Sequence, residues 1–377
     1  MPVSYAQVKT IFEQHCYMCH GEAVQMKGIR LDQSAVVKAN AYGHGAIPVA
    51  NAALNAGAEG LCVALMDEGV ALRRAGVTAP ILVLSEQPAE LSELLVGYEL
   101  TATVTTTRGV AVLANAASAA GKVARVHVKV DTGMHRIGVA PRETLSLIRF
   151  MQSFDSVLLE GVYTHFAVAD SPEHPANIEQ LRLFNEVLAE LAAHSIEPPL
   201  VHAANSAAAL ANPDSRFSMV RLGIAMYGLT PDVAMGSSKD FGLRPAMQLR
   251  AALYLVKDVP ANTPVGYGAT ESTTIDTRLG VVTMGYADGI PRIARSAGVW
   301  HNGKRAPIIG RVSMDQFVVD LGPDSKAQSG DWVTIFGNGS HGEYTADDWG
   351  AASQSINYEI VTRIGSRVPR IYSPHIY

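Results

Sequence analysis

Lys38 closes an apolar run, Ala35-Val36-Val37, and is followed by Ala39-Asn40-Ala41-Tyr42-Gly43-His44-Gly45, a glycine-bearing turn that leads into helix-like sequence. A lysine ending a strand buried on both faces either snorkels to water or loses its charge. Desolvation favours the neutral amine, the form that condenses with a carbonyl to give a Schiff base. Other polar residues punctuate later apolar runs. Lys129 and Arg136 flank one run, and His165 ends the next. His202, Asn205 and Ser206 follow another, while Arg221, Gly223 and Ile224 lie on or after the last. His165 also reads as a hydrogen-bonded core histidine. Asn205-Ser206 reads as a cap opening a helix through Ala207–Leu210, and the free amides of such a cap also suit a phosphate.

The elements that would position these groups alternate regularly. β-rich runs fall at Ala35–Ala39, Gly60–Ala64, Ile81–Leu84, Leu100–Val104, Arg125–Asp131, Leu158–Thr164, Leu200–Ala203 and Val220–Ala225. Ala/Leu/Glu-rich stretches of helical character separate them, among them Ala46–Ala56, Asp67–Ala75, Arg142–Gln152 and Asn177–His194. Eight such units predict an α/β fold, a (β/α)8 TIM-type barrel whose strand ends gather the polar residues on one face. Any eighth helix would follow Tyr227 or be replaced by the link onward. The glycine-bearing stretch Leu229–Pro245 marks a boundary. Beyond it Met247–Val259, Leu279–Met284, Ala306–Ile309, Phe317–Leu321 and Trp332–Phe336 are strand-like, with helical sequence near Ala346–Gln354. A mainly antiparallel β domain is therefore expected. The organisation reads as an atypical segment over 1–33, the barrel over 34–235 and the β domain over 236–377.

The chain has 377 residues, a net charge of −5 and three cysteines. No basic run invites nucleic acid or an anionic membrane, and no apolar run approaches a membrane span. Three cysteines make no disulfide framework, and the start lacks a secretory h-region, so a reducing cytoplasm is expected. Residues 1–33 stand apart. A short helix is expected from about Tyr5 to Met18, running into Cys16-Tyr17-Met18-Cys19-His20, which matches the C-x-x-C-H attachment motif of c-type haem. An electron-transfer protein holding haem through Cys16, Cys19 and His20 is the reading from another functional class. The segment is small for a haem pocket, and the expectation is that it adds no chemistry.

A longer series of motifs points elsewhere. Val37-Lys38-Ala39-Asn40-Ala41-Tyr42-Gly43-His44-Gly45 resembles the pyridoxal-phosphate attachment motif of the alanine racemase family. The resemblance continues through Lys129–Gly138 (KVDTGMHRIG), Thr164–Ala167 (THFA), His202–Ser206 (HAANS) and Val220–Gly228 (VRLGIAMYG). In the second domain it takes in Gly285–Gly289 (GYADG), Gly310–Gln316 (GRVSMDQ) and Arg367–Arg370 (RVPR). It covers about residues 34–372, in order and in both domains.

The resemblance implies a racemase interconverting L- and D-alanine by a two-base mechanism on a pyridoxal 5'-phosphate aldimine. Lys38 would bind the cofactor and act as base on the face of the D-enantiomer; Tyr286 would serve the L-face. Tyr42, Asn205, Ser206, Gly223 and Ile224 would hold the cofactor, and Arg221 would face its ring nitrogen. His165, linked to Arg221, would favour the Tyr286 phenolate through cationic character. Arg136 and Met314 would contact substrate, Lys129 would be carbamylated, and no metal is called for. Tyr286 and Met314 would arrive from the partner of a homodimer. The product would feed peptidoglycan.

Two departures stand out. The family's usual W-x-E-I-D-like beginning is replaced by the C-x-x-C-H segment, so an unpaired edge is expected in the β domain. Ser366 stands where relatives often carry tyrosine, which suggests a wider alanine/serine range. A decarboxylase of related architecture would be expected to place an acid where Arg221 lies, and a single-domain cofactor-binding protein would lack the β domain.

Overall fold

The computed structural model describes residues 32–372. The expected helix at Tyr5–Met18 and the C-x-x-C-H motif lie outside the described residues. Eight parallel strands run β1 Asp32–Val36, β2 Gly60–Val63, β3 Ile81–Val83, β4 Ala102–Val104, β5 Ala124–Lys129, β6 Val157–Tyr163, β7 Leu200–His202 and β8 Met219–Leu222. They follow one another round the sheet in the order β3-β2-β1-β8-β7-β6-β5-β4. A bridge between Leu82 and Thr101 joins the last pair, with Val83 N–H donating to Thr101 O at 2.9 Å and Thr101 N–H to Ile81 O at 2.9 Å. The barrel is closed. Strands β2, β3, β4 and β8 are buried at every position, as their apolar runs require when both faces are covered.

Helices α1 Ala46–Asn55, α2 Met66–Arg74, α3 Ser92–Gly97, α4 Thr107–Ala119, α5 Thr144–Met151, α6 Pro175–Ala193 and α7 Ser206–Ala211 cross between strands. After β8 come only 3₁₀ turns at Ile224–Tyr227 and Val233–Met235. The link onward takes the place of an eighth helix.

The second sheet contains β9 Leu249–Val259, β12 Thr277–Val282, β13 Gly298–His301, β14 Lys304–Pro307, β15 Phe317–Asp320 and β16 Trp332–Phe336, antiparallel in the order β14-β13-β16-β9-β12-β15. A small ribbon of β10 Pro264–Val265 and β11 Glu271–Ser272 stands beside it. The two outermost strands, β14 and β15, do not end in an open edge. Ile308 bridges Val319, and Ile309 N–H donates to Val318 O at 2.9 Å, so the sheet curls back on itself. Helical sequence is also more extensive than expected: α8 Ala346–Ala352 is followed by α9 Asn357–Thr362.

The run bearing Lys38 departs from the sequence reading. β1 stops at Val36, and Lys38 opens a tight turn instead of ending the strand. Ala39, Asn40, Ala41 and Tyr42 all have φ between 52° and 55°, a left-handed turn without a glycine. Each such residue costs about 1–2 kcal/mol, so the turn persists only because its surroundings fix it. Locally, Gly45 N–H donates to Asn40 O at 2.9 Å and Ala46 N–H to Asn40 Oδ1 at 2.8 Å. From the far end of the chain, Arg370 donates twice to Gly43 O, at 3.1 and 3.0 Å, and the Tyr372 hydroxyl donates to His44 O at 2.9 Å.

Gly43 is where α9 presses on the turn. Its φ is 81°, and an added Cβ would lie 2.1 Å from Val361 O. Gly43→Ala should therefore lower unfolding free energy on the order of 3 kcal/mol. Gly76→Ala, with φ 88° but open space around the new methyl, should cost about 1 kcal/mol. Denaturant titration of the two variants checks the difference.

Candidate active site

Lys38, Lys129, Arg136, His165, His202, Ser206, Arg221 and Gly223 come from different strands and the loops after them, and they meet at the C-terminal end of the barrel. β1 is held on both sides, by β2 at Ser34–Gly60 and by β8 at Ser34–Arg221. Lys38 and Arg221 are thus carried by paired neighbours. The Lys38 ammonium lies 5.8 Å from the centre of the Tyr42 ring. Burial, then the charge of Arg136, lowers its pKa, and Glu68 works against both. Among the described residues no group accepts a hydrogen bond from Lys38 Nζ.

Arg221 is 2 % exposed, and the acceptors its Nη atoms meet are neutral. Nη1 donates to His202 Nδ1 at 2.5 Å. Nη2 donates to Thr164 O at 2.9 Å, Ala203 O at 3.0 Å and His165 Nδ1 at 3.1 Å. No carboxylate shares these contacts. A guanidinium stays charged under such burial, so a permanent cation sits here without a direct anionic partner among the described residues.

The same bond settles the state of His165. Burial, followed by the charges of Arg221 and Lys129, holds its pKa well below the ordinary imidazole range. An imidazole accepting at Nδ1 and carrying no charge has its proton on Nε2. The expected cationic character is therefore corrected: His165 is a neutral donor, and the positive charge resides on Arg221.

Asn205 is the cap the sequence suggested, its Oδ1 accepting from Ala208 N–H at 3.0 Å. Ser206 Oγ accepts from Gly223 N–H at 2.9 Å and Ala225 N–H at 3.3 Å. A Cβ on Gly223 would lie 2.5 Å from the Tyr42 hydroxyl and 3.7 Å from Ser206 Oγ. Tyr42, Ser206 and the bend at Gly223 thus enclose one small polar hollow that only glycine leaves open. Ile224, the next residue, is 1 % exposed and begins the turn after β8. Lys129 ends β5, its ammonium 5.7 Å from the Tyr163 ring. Burial, then the charges of Arg136 and Arg221, brings its pKa down to about 8.

Tyr286 and Met314 are not among these groups. They lie side by side on the β domain, with Tyr286 N–H donating to Ser313 O and Ala287 N–H to Met314 O, each at 3.0 Å. Their side chains are 43 % and 54 % exposed. Ser366 is also exposed on this rim, where Gly365 N–H donates to Asp288 O at 3.1 Å and Arg367 meets Asp315 at 2.7 Å.

Comparison with known proteins accounts for both halves of this geometry. The family model for the alanine racemase N-terminal domain matches residues 27–231, and that for the alanine racemase C-terminal domain matches residues 246–372. The chain belongs to the alanine racemase family. It is 45% identical over 352 residues to an alanine racemase of Salinispora arenicola, covering 92% of this chain and 93% of that protein. It is 46% identical over 347 residues to one from Streptomyces coelicolor, covering 90% and 88% respectively. The solved alanine racemase of Streptomyces lavendulae superposes with a TM-score of 0.89 at 40% identity, covering 99% of this chain and 95% of that one.

Within this alanine racemase fold, two side chains matter that sequence reading passed over. Tyr163 is 1 % exposed, stacks on His202 at 4.5 Å and lies 5.1 Å beneath Arg221. It lies inside the β-rich run Leu158–Thr164, where nothing in the sequence singles it out. Glu68 accepts from Ala64 N–H at 2.9 Å and Leu65 N–H at 3.1 Å, and also from Ala39 N–H in the Lys38 turn. Its place in the first turn of α2 signals only a cap. Among the described residues, no helix is long and apolar enough to cross a membrane.

Proposed function

We propose that the chain racemises alanine with pyridoxal 5'-phosphate held at the barrel's C-terminal face, as a cytoplasmic homodimer supplying D-alanine for peptidoglycan. The single observation that carries this reading is a Lys38 amine that, among the described residues, donates no hydrogen bond, in the same site as a buried Arg221 that touches no carboxylate among them. The residues present fit the cofactor. The hollow between Tyr42, Ser206 and Gly223, which a Cβ would fill, converges hydroxyls and amides as a phosphate requires, with Asn205 and Ile224 fixing the two turns that form it.

Bound there, the cofactor supplies an electron-withdrawing ring that acidifies the substrate's Cα proton. Lys38, with its lowered pKa, takes or returns a proton at Nζ on one face of Cα. Tyr286 of the partner subunit does so at its phenol oxygen on the other. The neutral His165 directs its Nε2–H toward that oxygen and favours the phenolate, while Arg221 polarises His165 from behind. As a permanent cation, Arg221 would disfavour a further positive charge on a cofactor bound in this site. Arg136 of the same barrel and Met314 of the partner subunit hold substrate.

Lys129 is the site of a carbamate. Its amine is partly neutral near pH 8 and surrounded by cations, so attack on carbon dioxide with loss of one proton turns a repelled charge into a partner for Arg136. Supplying 13C-bicarbonate should give a protein carbonyl resonance that disappears in Lys129→Ala. Finding no such signal removes the carbamate but leaves the rest of the reading intact.

The reading as a whole is tested by coupled detection of D-alanine formed from L-alanine, with cofactor added. No product above background would overturn it. Run across small L-amino acids, the same assay decides whether the opening left by Ser366 admits serine or turnover is confined to alanine.

A further inference from the structure

Arg221 must be aimed, and the chain that aims it continues past His202 to the other side of the barrel. His202 Nε2 faces His127 Nδ1 at 2.8 Å. The other nitrogen of His127 faces Glu160 Oε2 at 3.5 Å. Glu160 is held in turn by Arg125, which donates to Oε1 at 2.8 Å, and by the Thr101 hydroxyl, which donates to Oε2 at 3.1 Å. Both histidines are buried, at 2 % and 0 % exposure.

The backbone is built around this line. β5 and β6 pair Val126 with Leu159 but His127 with Gly161, so Glu160 is the extra residue of a β-bulge. A bulge re-aims a side chain that regular alternation would send elsewhere. Gly161 completes the arrangement: a Cβ there would lie 2.7 Å from both Nδ1 and Cε1 of His127.

Proton positions along the line are dictated from the Arg221 end. Arg221 only donates, so His202 Nδ1 must accept. Neutral His202 then carries its proton on Nε2 and donates to His127 Nδ1. Neutral His127 carries its proton on Nε2, facing the Glu160 carboxylate. We infer that Glu160 and His127 are positioning residues, which fix the tautomer of His202 and thereby the placement of Arg221 in the site. Reversing either ring would set His202 Nδ1–H against an Arg221 N–H. Burial works against the charge on Glu160, yet its bonds from His127 and Arg125 hold the carboxyl at about 2, so the line ends on an anion.

The role of Arg221 is taken from the proposed racemisation, but the test does not depend on turnover. Solid-state 15N spectra of histidine-labelled protein, assigned with His127→Gln and His202→Gln, should show both rings as neutral Nε2–H tautomers. An Nδ1–H tautomer or a charged ring at either position overturns the inference, whether or not the protein racemises alanine. Glu160→Gln should then shift the His127 and His202 signals and lower kcat about tenfold, with KM and the thermal midpoint unchanged. Unchanged signals and kcat, or a loss of stability without a kcat change, would also overturn it. A failure of racemisation with the Nε2–H tautomers intact would instead count against the proposed function.

Discussion

Replacing Lys38 with alanine is expected to lower racemisation at least about 10³-fold in both directions, without loss of the fold. The second half of the prediction follows from the structure. Lys38 Nζ donates to no group among the described residues, and the turn that carries it is held by the Gly45 N–H and by the Arg370 and Tyr372 side chains, which donate to its carbonyls. Alanine at this position removes no hydrogen bond of the amine, only its approach to the Tyr42 ring at 5.8 Å. In the proposed mechanism it removes two things at once, the covalent anchor and one of the two bases. Tyr286→Phe removes only the other base, so the two variants should differ in kind. In deuterated buffer, Tyr286→Phe should still exchange the α-proton of D-alanine while failing to exchange that of L-alanine. Lys38→Ala should do neither. Equal exchange of both enantiomers by Tyr286→Phe would remove the assignment of faces.

Combining the two inactive variants should restore activity. If Tyr286 serves the barrel of its partner, a mixed dimer of Lys38→Ala and Tyr286→Phe subunits contains one site with both defects and one with neither. Random reassociation makes half the dimers mixed, so about a quarter of wild-type activity should return. The motive is geometric. Tyr286 and Met314 stand exposed on the β domain, their loop bonded to itself through Ser313 and Met314, and the Tyr286 phenol bonds to none of the described residues. An aromatic and a methionine exposed together suit an interface. Activity is read after co-refolding equal amounts of the two proteins. A mixture as inactive as its parents would place Tyr286 in its own chain's site and remove the shared-site reading.

The barrel was legible because parallel strands buried on both faces leave uninterrupted apolar runs, and each polar residue ending such a run stood out against them. Lys129, His165, His202 and Arg221 were found that way. The exact end of β1 was not. Val36-Val37-Lys38 continues the apolar run, and nothing in Ala39-Asn40-Ala41-Tyr42 announces a left-handed turn, since that conformation is imposed by α9, Arg370 and Tyr372. The same limit hid the charge of His165. A histidine beside an arginine in sequence-distant loops carries no local sign of which nitrogen is bonded, and the neutral state follows only from burial and the Arg221 contact. Strand β13 escaped because Gly298-Val299-Trp300-His301 is too short to show alternation, and the curl joining β14 to β15 depends on pairing across the sheet. Tyr286 was reached through a motif, because an exposed tyrosine in a turn has no physical signature of its own.

The clasp on the Lys38 turn joins positions 327 and 328 residues apart. Strands of the barrel can pair as they emerge during synthesis, but this turn lacks its outer support until Arg370 and Tyr372 have been made. Lys38 thus sits on a turn whose outer support comes from the far end of the sequence. A chain lacking Arg370 and Tyr372 would keep every barrel residue of the site yet hold its lysine on a turn without these three hydrogen bonds.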